Sequence, residues 1–582
     1  MYLSNIKLWH FRKFGNTDAL SVDEPHLDLN FNERLNVLIG ENDSGKTAII
    51  DAIRLVLKTH SYDWSRIDEN DFHQTQSRLR IELVFSGMKP EEGKNFTEFL
   101  CWEGEGENIV SFLRLILDVK RNPASGQILP YEVRAGADID GKQLNPEARE
   151  YLKVTYLKPL RDAEEELIAR KSSRLSQILI GHEAFKDNGD NHPLMKLLVD
   201  FNSSIEKYFE GKDSAGNGIQ DQQGKELKAK IDGYIESLYE QGKKSVLSVT
   251  EKRQLKSLLE KLELSILGEI RPGLGTLNRL FMASELLHLN KNNWTGIRLG
   301  LVEELEAHLH PQAQMQAIET FQNQTGVQLI LTTHSPNIGS KIELKNLIIC
   351  QGDKAFPMSD AYTKLDSDDY VFLQRFLDVT KANLFFSKGV ILVEGWTEEL
   401  LLPELAKLIG YNLTKYGVSI INVSSLAFIH YANIFKRKHK PYFSTPVAVV
   451  TDVDVTPDNE NEIEANSKTR LSNALTAKAV KNDGQIVKTF IAPHWTLEYC
   501  LSKSETFKGK FAEITKSVHS KSNWSDFDSE LTQKLNAQSF KKTEIVHRLA
   551  QAIANGEIDK SKVAKDEHIE YLVKAIKYAC GY

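Results

Sequence analysis

The stretch that most constrains the fold is VLIGENDSGKTAII, residues 37–50. An apolar run suited to a buried strand stops at Gly40, and a run suited to a helix begins after Gly45-Lys46-Thr47. Gly40-Glu41-Asn42-Asp43-Ser44-Gly45-Lys46-Thr47 satisfies GxxxxGK[ST]. Its flanks, LNVLI before and AIIDAIRLVL after, are the strand and helix that this motif requires. Backbone amides around Gly40, Asn42 and Gly45, with the helix N-terminus, can cradle the phosphates of ATP. Lys46 reaches the β- and γ-phosphates, and the Thr47 hydroxyl helps to hold Mg²⁺.

The rest of the chain must supply what such a loop needs. With 582 residues it has room for two to four domains, and 41% apolar with 26% charged residues is ordinary globular composition. The net charge of −7 gives no global basic signature, so any nucleic-acid contact must come through local patches or bridging metals. Cys101, Cys350, Cys500 and Cys580 are scattered, which argues against a zinc site or disulfide framework and for a reducing compartment. The N-terminus MYLSNIKLWHFRKF lacks the pattern of a signal peptide, and no apolar run approaches membrane-spanning length. A cytoplasmic protein with no membrane partner is expected.

Residues 78–86 and 109–119 alternate or run apolar, as strands do. Between about 160 and 270 the spacing becomes helical and polar, the pattern of a helical arm or interface, with 211–226 as a solvent loop. Residues 296–336 return to strand, turn, helix and strand. In LGLVEELEAHLHP an apolar strand ends in Glu303 and Glu304. One carboxylate can serve the Mg²⁺ shell, and the next can polarise the attacking water. VQLILTTHSP then ends a strand at His334, able to contact the γ-phosphate. Alone, a paired Glu is usually a solvated turn and a lone His structural; in this order, each at a strand end, they read as an ATPase.

A second site offers carboxylates instead of a lysine. In VILVEGWTEE, Glu394 stands at a strand end and Glu398 one helical turn later; in VAVVTDVDV, Asp452 and Asp454 stand beside another strand end. Residues two apart on a strand share a face, so both aspartates are expected to reach one hard, oxygen-preferring cation. Alternation of strands and helices over 384–458 predicts a second parallel α/β domain, with the boundary near 375–388.

The first set resembles the ABC-type ATPases of the SMC and RecF kind, and EELEAHLHP and TTHSP resemble the corresponding segments of OLD (overcoming lysogenization defect) ATPases. Glu303 stands where most ABC enzymes have Asp, though OLD-type members often use Glu. The resemblance makes RPGLGTLNRLFMASELL, residues 271–287, the signature segment that closes over ATP bound to a second subunit. Gly273 and Gly275 would then let backbone approach the γ-phosphate. The carboxylate set resembles a Toprim domain, and an ABC-type ATPase followed by Toprim is the OLD arrangement. It implies a metal-dependent nuclease using Mg²⁺ or Mn²⁺. WTLEYCL adds Glu498 as a metal ligand, KKTEIVHRLAQAI makes Lys542 the catalytic lysine with Lys541 the runner-up, and YLKPLRDAEEEL marks Arg161. INVSSLAF lacks the glycine usual after this strand, a departure that bears on loop geometry.

The expected fold is α/β: an ABC-type P-loop ATPase with a helical dimerisation insert, then a Toprim domain. The divisions fall at 1–160, 161–270, 271–375 and 384–582. The resemblance implies an ATP-regulated endonuclease acting on DNA, a homodimer or larger, with antiphage defence as the role and a defence-system partner possible in principle. DNA versus RNA preference, and the direction in which ATP acts, stay open. The rivals are a RecF-like repair ATPase without cleavage and an ATP-gated DNA clamp.

Overall fold

Strands buried along their whole length need both sheet faces covered, and such strands frame this chain. They are β3 (Leu35–Ile39), β10 (Leu299–Val302), β11 (Gln328–Thr333), β14 (Gly389–Val393) and β16 (Val447–Thr451). The computed structural model describes residues 1–59, 66–158, 167, 173–185, 191–238, 244–248, 254–269, 272–290, 294–424, 427–456 and 464–582.

Among these residues the strands form three sheets. In the first parallel sheet β9 (Thr155–Leu157), β10, β11, β3 and β12 (Leu347–Gln351) run side by side, and β13 (Lys354–Pro357) closes the edge antiparallel. The antiparallel sheet has the order β2 (Leu27–Asn30), β1 (Tyr2–Trp9), β4 (Arg78–Ser86), β6 (Val110–Lys120), β7 (Val133–Ala135), β8 (Lys142–Gln143). β5 (Leu100–Glu103) pairs with β6 outside this order. The last sheet is wholly parallel: β15 (Val418–Asn422), β14, β16, β17 (Val487–Ile491).

Period-two alternation sends neighbouring residues of the first parallel sheet into different cores. Val37 and Ile39 join one apolar cluster, while Leu38 joins the cluster shared with the antiparallel sheet. The cluster holding Val37 does not stop at the ATPase half. It runs through Ile338, Phe356, Leu373, Phe385 and Phe443 to Val390, Leu392 and Val449 of the second parallel sheet. Both parallel sheets thus share one apolar contact region, and a third cluster covers the outer face of β14 and β16 through Ile391, Val393, Ala448 and Val450.

Helices Arg174–Gly181, Pro193–Phe209 and Gln223–Leu238 form the described part of the arm. Its own core is small, built on Met195, Leu198, Leu255 and Leu259. Two expectations change here. Residues 223–226 belong to a helix, not to the loop. Among the described residues of KSLLEKLELSILGEI, 256–269, the helix Leu255–Leu259 stops early, because Leu264 leaves it to pack on the main core and give its amide to the Leu167 carbonyl. No described helix is long and apolar enough to cross a membrane.

Candidate functional site

Parallel pairing puts the C-terminal ends of β3, β10 and β11 on one edge, and the loops leaving them carry the nucleotide-site candidates. The loop after β3 turns sharply. Gly40 has φ +154 and a Cβ there would lie 2.3 Å from the Cys350 carbonyl oxygen; Gly45, at φ +95, starts α1 (Lys46–Leu57). Only glycine fits these two positions. Lys46 is buried, and its Nζ donates to the carbonyls of Gly40 (2.8 Å) and Glu41 (2.6 Å) and to Ser44 Oγ (3.2 Å). Burial lowers its pKa. Asn42 and Thr47 are exposed.

Glu303, just past β10, is 2% exposed. Thr47 Oγ1 donates to its Oε2 (3.3 Å) and the Tyr156 hydroxyl to its Oε1 (3.1 Å). Burial, with the nearby Asp51 charge, raises its pKa to about 7. Glu304 has a left-handed backbone, φ +46, which turns its side chain outward, and its amide is held by Thr332 Oγ1 at 3.0 Å. His334 is exposed, with Nδ1 3.0 Å from Glu306 Oε1. Glu306 also takes the His334 amide (2.7 Å) and the Thr333 hydroxyl (2.8 Å), so this carboxylate sets the turn that presents the histidine.

The two glycines of the signature candidate differ. Gly275 lies against the turn after β10, where a Cβ would meet the His308 carbonyl at 2.7 Å. Gly273 precedes the helix Leu274–Leu289, is exposed, and would give a Cβ nothing within 4 Å. Close approach therefore accounts for Gly275 within this chain. Arg161 lies outside the described residues.

The second centre forms where β14 and β16 end side by side. Glu394 Oε1 accepts from the Thr451 hydroxyl and, at 3.2 Å, from the Asp452 amide. Glu398 lies in the first turn of the helix Trp396–Leu408, is buried, and accepts from Thr397 Oγ1 at 3.1 Å. Thr496 caps the helix Leu497–Lys503 and so turns Glu498, 1% exposed, inward. Lys542 begins the helix Lys542–Ala554, and its Nζ lies 2.8 Å from Glu498 Oε2. Lys541 instead pairs with Glu544 at 3.4 Å.

Like charges in low dielectric raise each other's proton affinity. Burial and then Glu498 push Glu398 up to about 7; burial, Glu498, Glu398 and Glu394 together push Asp452 well above the carboxylate range. Burial raises Glu394 as well. Burial works against the Lys542 ammonium, but the Glu498 charge and hydrogen bond outweigh it and raise its pKa.

Asp454 corrects one expectation. β16 ends at Thr451, and Asp454 has φ +58, so the two aspartates do not share a strand face. Asp454 is exposed and pairs with Lys478 at 2.5 Å; Lys478 Nζ also donates to the Asp452 carbonyl at 2.5 Å. Among the described residues no three His, Cys, Asp or Glu side chains are set at metal-holding geometry. The donor set nevertheless fits a hard divalent cation, because buried carboxylate oxygens forced together gain most from an added positive charge. Tyr156 and Glu306 lie within YLKPLRDAEEEL and EELEAHLHP but those motifs give them no role, and Lys478 lies in none, since each acts across the fold.

Two family models match. One, described as AAA ATPase domain, covers residues 1–215 and 201–338; the other, described as Overcoming lysogenization defect protein-like, TOPRIM domain, covers 385–454. The chain belongs to the AAA ATPase domain family and carries an OLD-like Toprim domain after it. Endonuclease GajA of Bacillus cereus (strain HuB5-5) is 22% identical to this chain, over 79% of it and 78% of the relative. The Retron Ec83 probable ATPase of Escherichia coli is 23% identical over 57% of this chain and 69% of its own length. The solved C-terminal region of the Xanthomonas campestris pv. campestris OLD protein is 18% identical and covers 34% of the chain and 94% of that structure at a TM-score of 0.24. The chain is an enzyme, an ATPase and a nuclease.

Proposed function

We propose that the chain is an ATP-regulated, metal-dependent endonuclease that cuts or nicks double-stranded DNA at its Toprim centre, in the service of antiphage defence. The observation that carries this reading is the convergence of Asp452, just past a strand end, with Glu398 and Glu498 from two helix starts, and Lys542 Nζ 2.8 Å from Glu498. A resting structural cluster gains nothing from burying mutually repelling carboxylates, whereas a cation site does.

Glu394, Glu398, Asp452, Asp454 and Glu498 are the residues assigned to the divalent ions, Mg²⁺ or Mn²⁺. When bound, such ions supply an activated water and charge for the leaving oxygen. Lys542 places an ammonium where a phosphate crowded by these carboxylates needs neutralising. Thr451 orients Glu394, and Thr397 orients Glu398, before any substrate arrives.

At the other centre Gly40, Asn42, Gly45, Lys46 and Thr47 take the nucleotide, Glu303 joins the Mg²⁺ shell, Glu304 accepts a proton from the attacking water, and His334 reaches the γ-phosphate. Gly273 and Gly275 are assigned to a segment offered to a second copy. Under this reading the chain divides into ATPase parts at 1–160 and 271–375, an arm at 161–270 and a nuclease domain at 384–582, and works as a cytoplasmic homodimer or larger assembly. GajA is named an endonuclease, in keeping with this reading. Incubation of pure protein with supercoiled plasmid and Mn²⁺ tests it. Nicked or linear product is expected from wild type and not from Asp452→Ala; DNA binding without cleavage would reject it in favour of a clamp.

A further inference from the structure

We infer that Tyr156 is a positioning residue of the ATPase centre, its phenol fixing the Glu303 carboxylate in the orientation in which Glu303 and Thr47 serve the same Mg²⁺. This rests on the reading of Glu303 as a Mg²⁺ ligand.

The strand that carries Tyr156 is the edge strand β9, and it grips Glu303 twice. Tyr156 stands in register with Leu301 and Leu157 with Val302, so that Glu303, the next residue, gives its amide to the Leu157 carbonyl at 3.0 Å. The Tyr156 hydroxyl then donates to Oε1 of the same residue at 3.1 Å. With Thr47 Oγ1 3.3 Å from Oε2, a hydroxyl holds each carboxylate oxygen. An ionised carboxylate has about four lone-pair positions, so two hydroxyls orient the group and leave acceptor capacity for an ion.

Tyr156 is itself prevented from swinging away. The Arg54 guanidinium lies over its ring at 3.7 Å. Arg54 is held by Asp51 (2.6 Å), Asp51 by Arg12 (2.7 Å), and Arg12 by Asp71 (2.9 Å). This chain of contacts begins in the turn after β1 and ends on the ligand candidate, so the phenol is fixed by α1 and by the loops beside it. Positive charge stacked on one face of the ring and a carboxylate at its edge hydroxyl is a stable arrangement for a tyrosine and an unfavourable one for leucine. Ligand-orienting partners of this kind change metal affinity without touching the metal. Tyr156 opens YLKPLRDAEEEL, but that motif marks Arg161, and the carboxylate it holds lies 147 residues later.

Tyr156→Phe removes the hydroxyl and keeps the ring under Arg54. The test measures binding of a fluorescent ATP analogue to the full chain, with Mg²⁺ titrated and again in EDTA, beside the Mg²⁺ dependence of ATP hydrolysis. The expected result is a requirement for about tenfold more Mg²⁺ in both titrations, with binding in EDTA unchanged. An unshifted Mg²⁺ titration overturns the inference. So does equal weakening with and without Mg²⁺, since the phenol would then support the loop and not the ion ligand. Glu303→Gln separates the two readings: if it shifts the titration and Tyr156→Phe does not, Tyr156 alone is wrong. If neither shifts it, Glu303 is not a ligand and both fall.

Discussion

The two centres of this chain handle buried carboxylates in opposite ways. At the ATPase centre Glu303 is held by the hydroxyls of Thr47 and Tyr156, neutral donors that fix direction and add no charge. At the Toprim centre buried Glu398 and Glu498 and half-buried Asp452 repel one another, with Lys542 as an ionic counterweight and Lys478 on the neighbouring Asp454. One site is assembled before its ligand arrives; the other stores repulsion that a cation relieves. Hydroxyls cost little to bury when they are paired, while clustered carboxylates are costly until neutralised. One continuous apolar cluster nevertheless lies beneath both parallel sheets.

The strongest way to break the contrast is reciprocal substitution. Lys46→Ala removes the cation of the phosphate loop and should lower ATP hydrolysis at least about 100-fold. Asp452→Ala should lower plasmid cleavage at least as far while leaving ATP hydrolysis intact, because the two residues stand beside different sheets. Phosphate release and supercoiled-plasmid assays on both variants decide it. Loss of ATPase activity in Asp452→Ala would show that the centres are not separable.

Next comes Glu304→Gln. The amide matches the carboxylate in shape but cannot take a proton, so hydrolysis should fall by about 10²-fold while ATP binding persists. Trapped ATP should then hold the assembly closed and shift cleavage by a centre whose own ligands are untouched. Restraint of cutting is the direction expected here. Equal cleavage rates with and without ATP, in wild type and in the variant, would remove regulation from the reading.

A smaller effect follows from the raised pKa of Glu398. It stands at about 7 in the folded chain against an ordinary 4.5, so the folded state binds more protons between these values. Stability therefore falls as pH rises through that window, and the loss is complete above the folded value. Without divalent ions the cost at pH 7.5 is of order 1–3 kcal/mol. Thermal melts in EDTA should show lower stability at pH 7.5 than at pH 5, and Mn²⁺ should recover more at pH 7.5. Glu398→Gln should flatten the pH dependence; a wild-type profile in that variant would place the stored repulsion elsewhere.

How much of this was legible in the sequence depended on how local the signal was. RLRIELVFS gave β4 to the residue, and the phosphate loop and the strand-end carboxylates stood where their motifs placed them. Short strands such as β7, β8 and β9 carry too few residues to show a period, and their pairing comes from distant partners. Asp452 and Asp454 share no strand face because β16 ends at Thr451, before both, and Asp454 turns left-handed. The roles of Tyr156, Glu306 and Lys478 are not written in the sequence even where the residue lies in a motif, since each is defined by what the fold brings beside it.

The mildest substitution sharpens the comparison at the assembly level. A Cβ at Gly273 meets nothing within 4 Å, so Gly273→Asp should change stability by no more than about 0.5 kcal/mol, and an aspartate before a helix suits the N-terminus. Gly275→Ala, by contrast, drives a Cβ to within 2.7 Å of the His308 carbonyl and should destabilise the chain itself. If the exposed end of this helix closes on ATP held by a second copy, the new charge at 273 repels the phosphate there and slows hydrolysis severalfold. Mixing decides whether that contact is made within one chain or between two. A Gly273→Asp chain keeps its own phosphate loop, and a Lys46→Ala chain keeps its own helix end. In a randomly mixed dimer, half of the assemblies pair the two variants and each restores one complete site. Hydrolysis should then rise toward about a quarter of the wild-type value above the sum of the separate variants. No gain on mixing, with exchange of subunits verified by sizing of tagged chains, would place Gly273 beside its own nucleotide and remove the second copy from the ATPase centre.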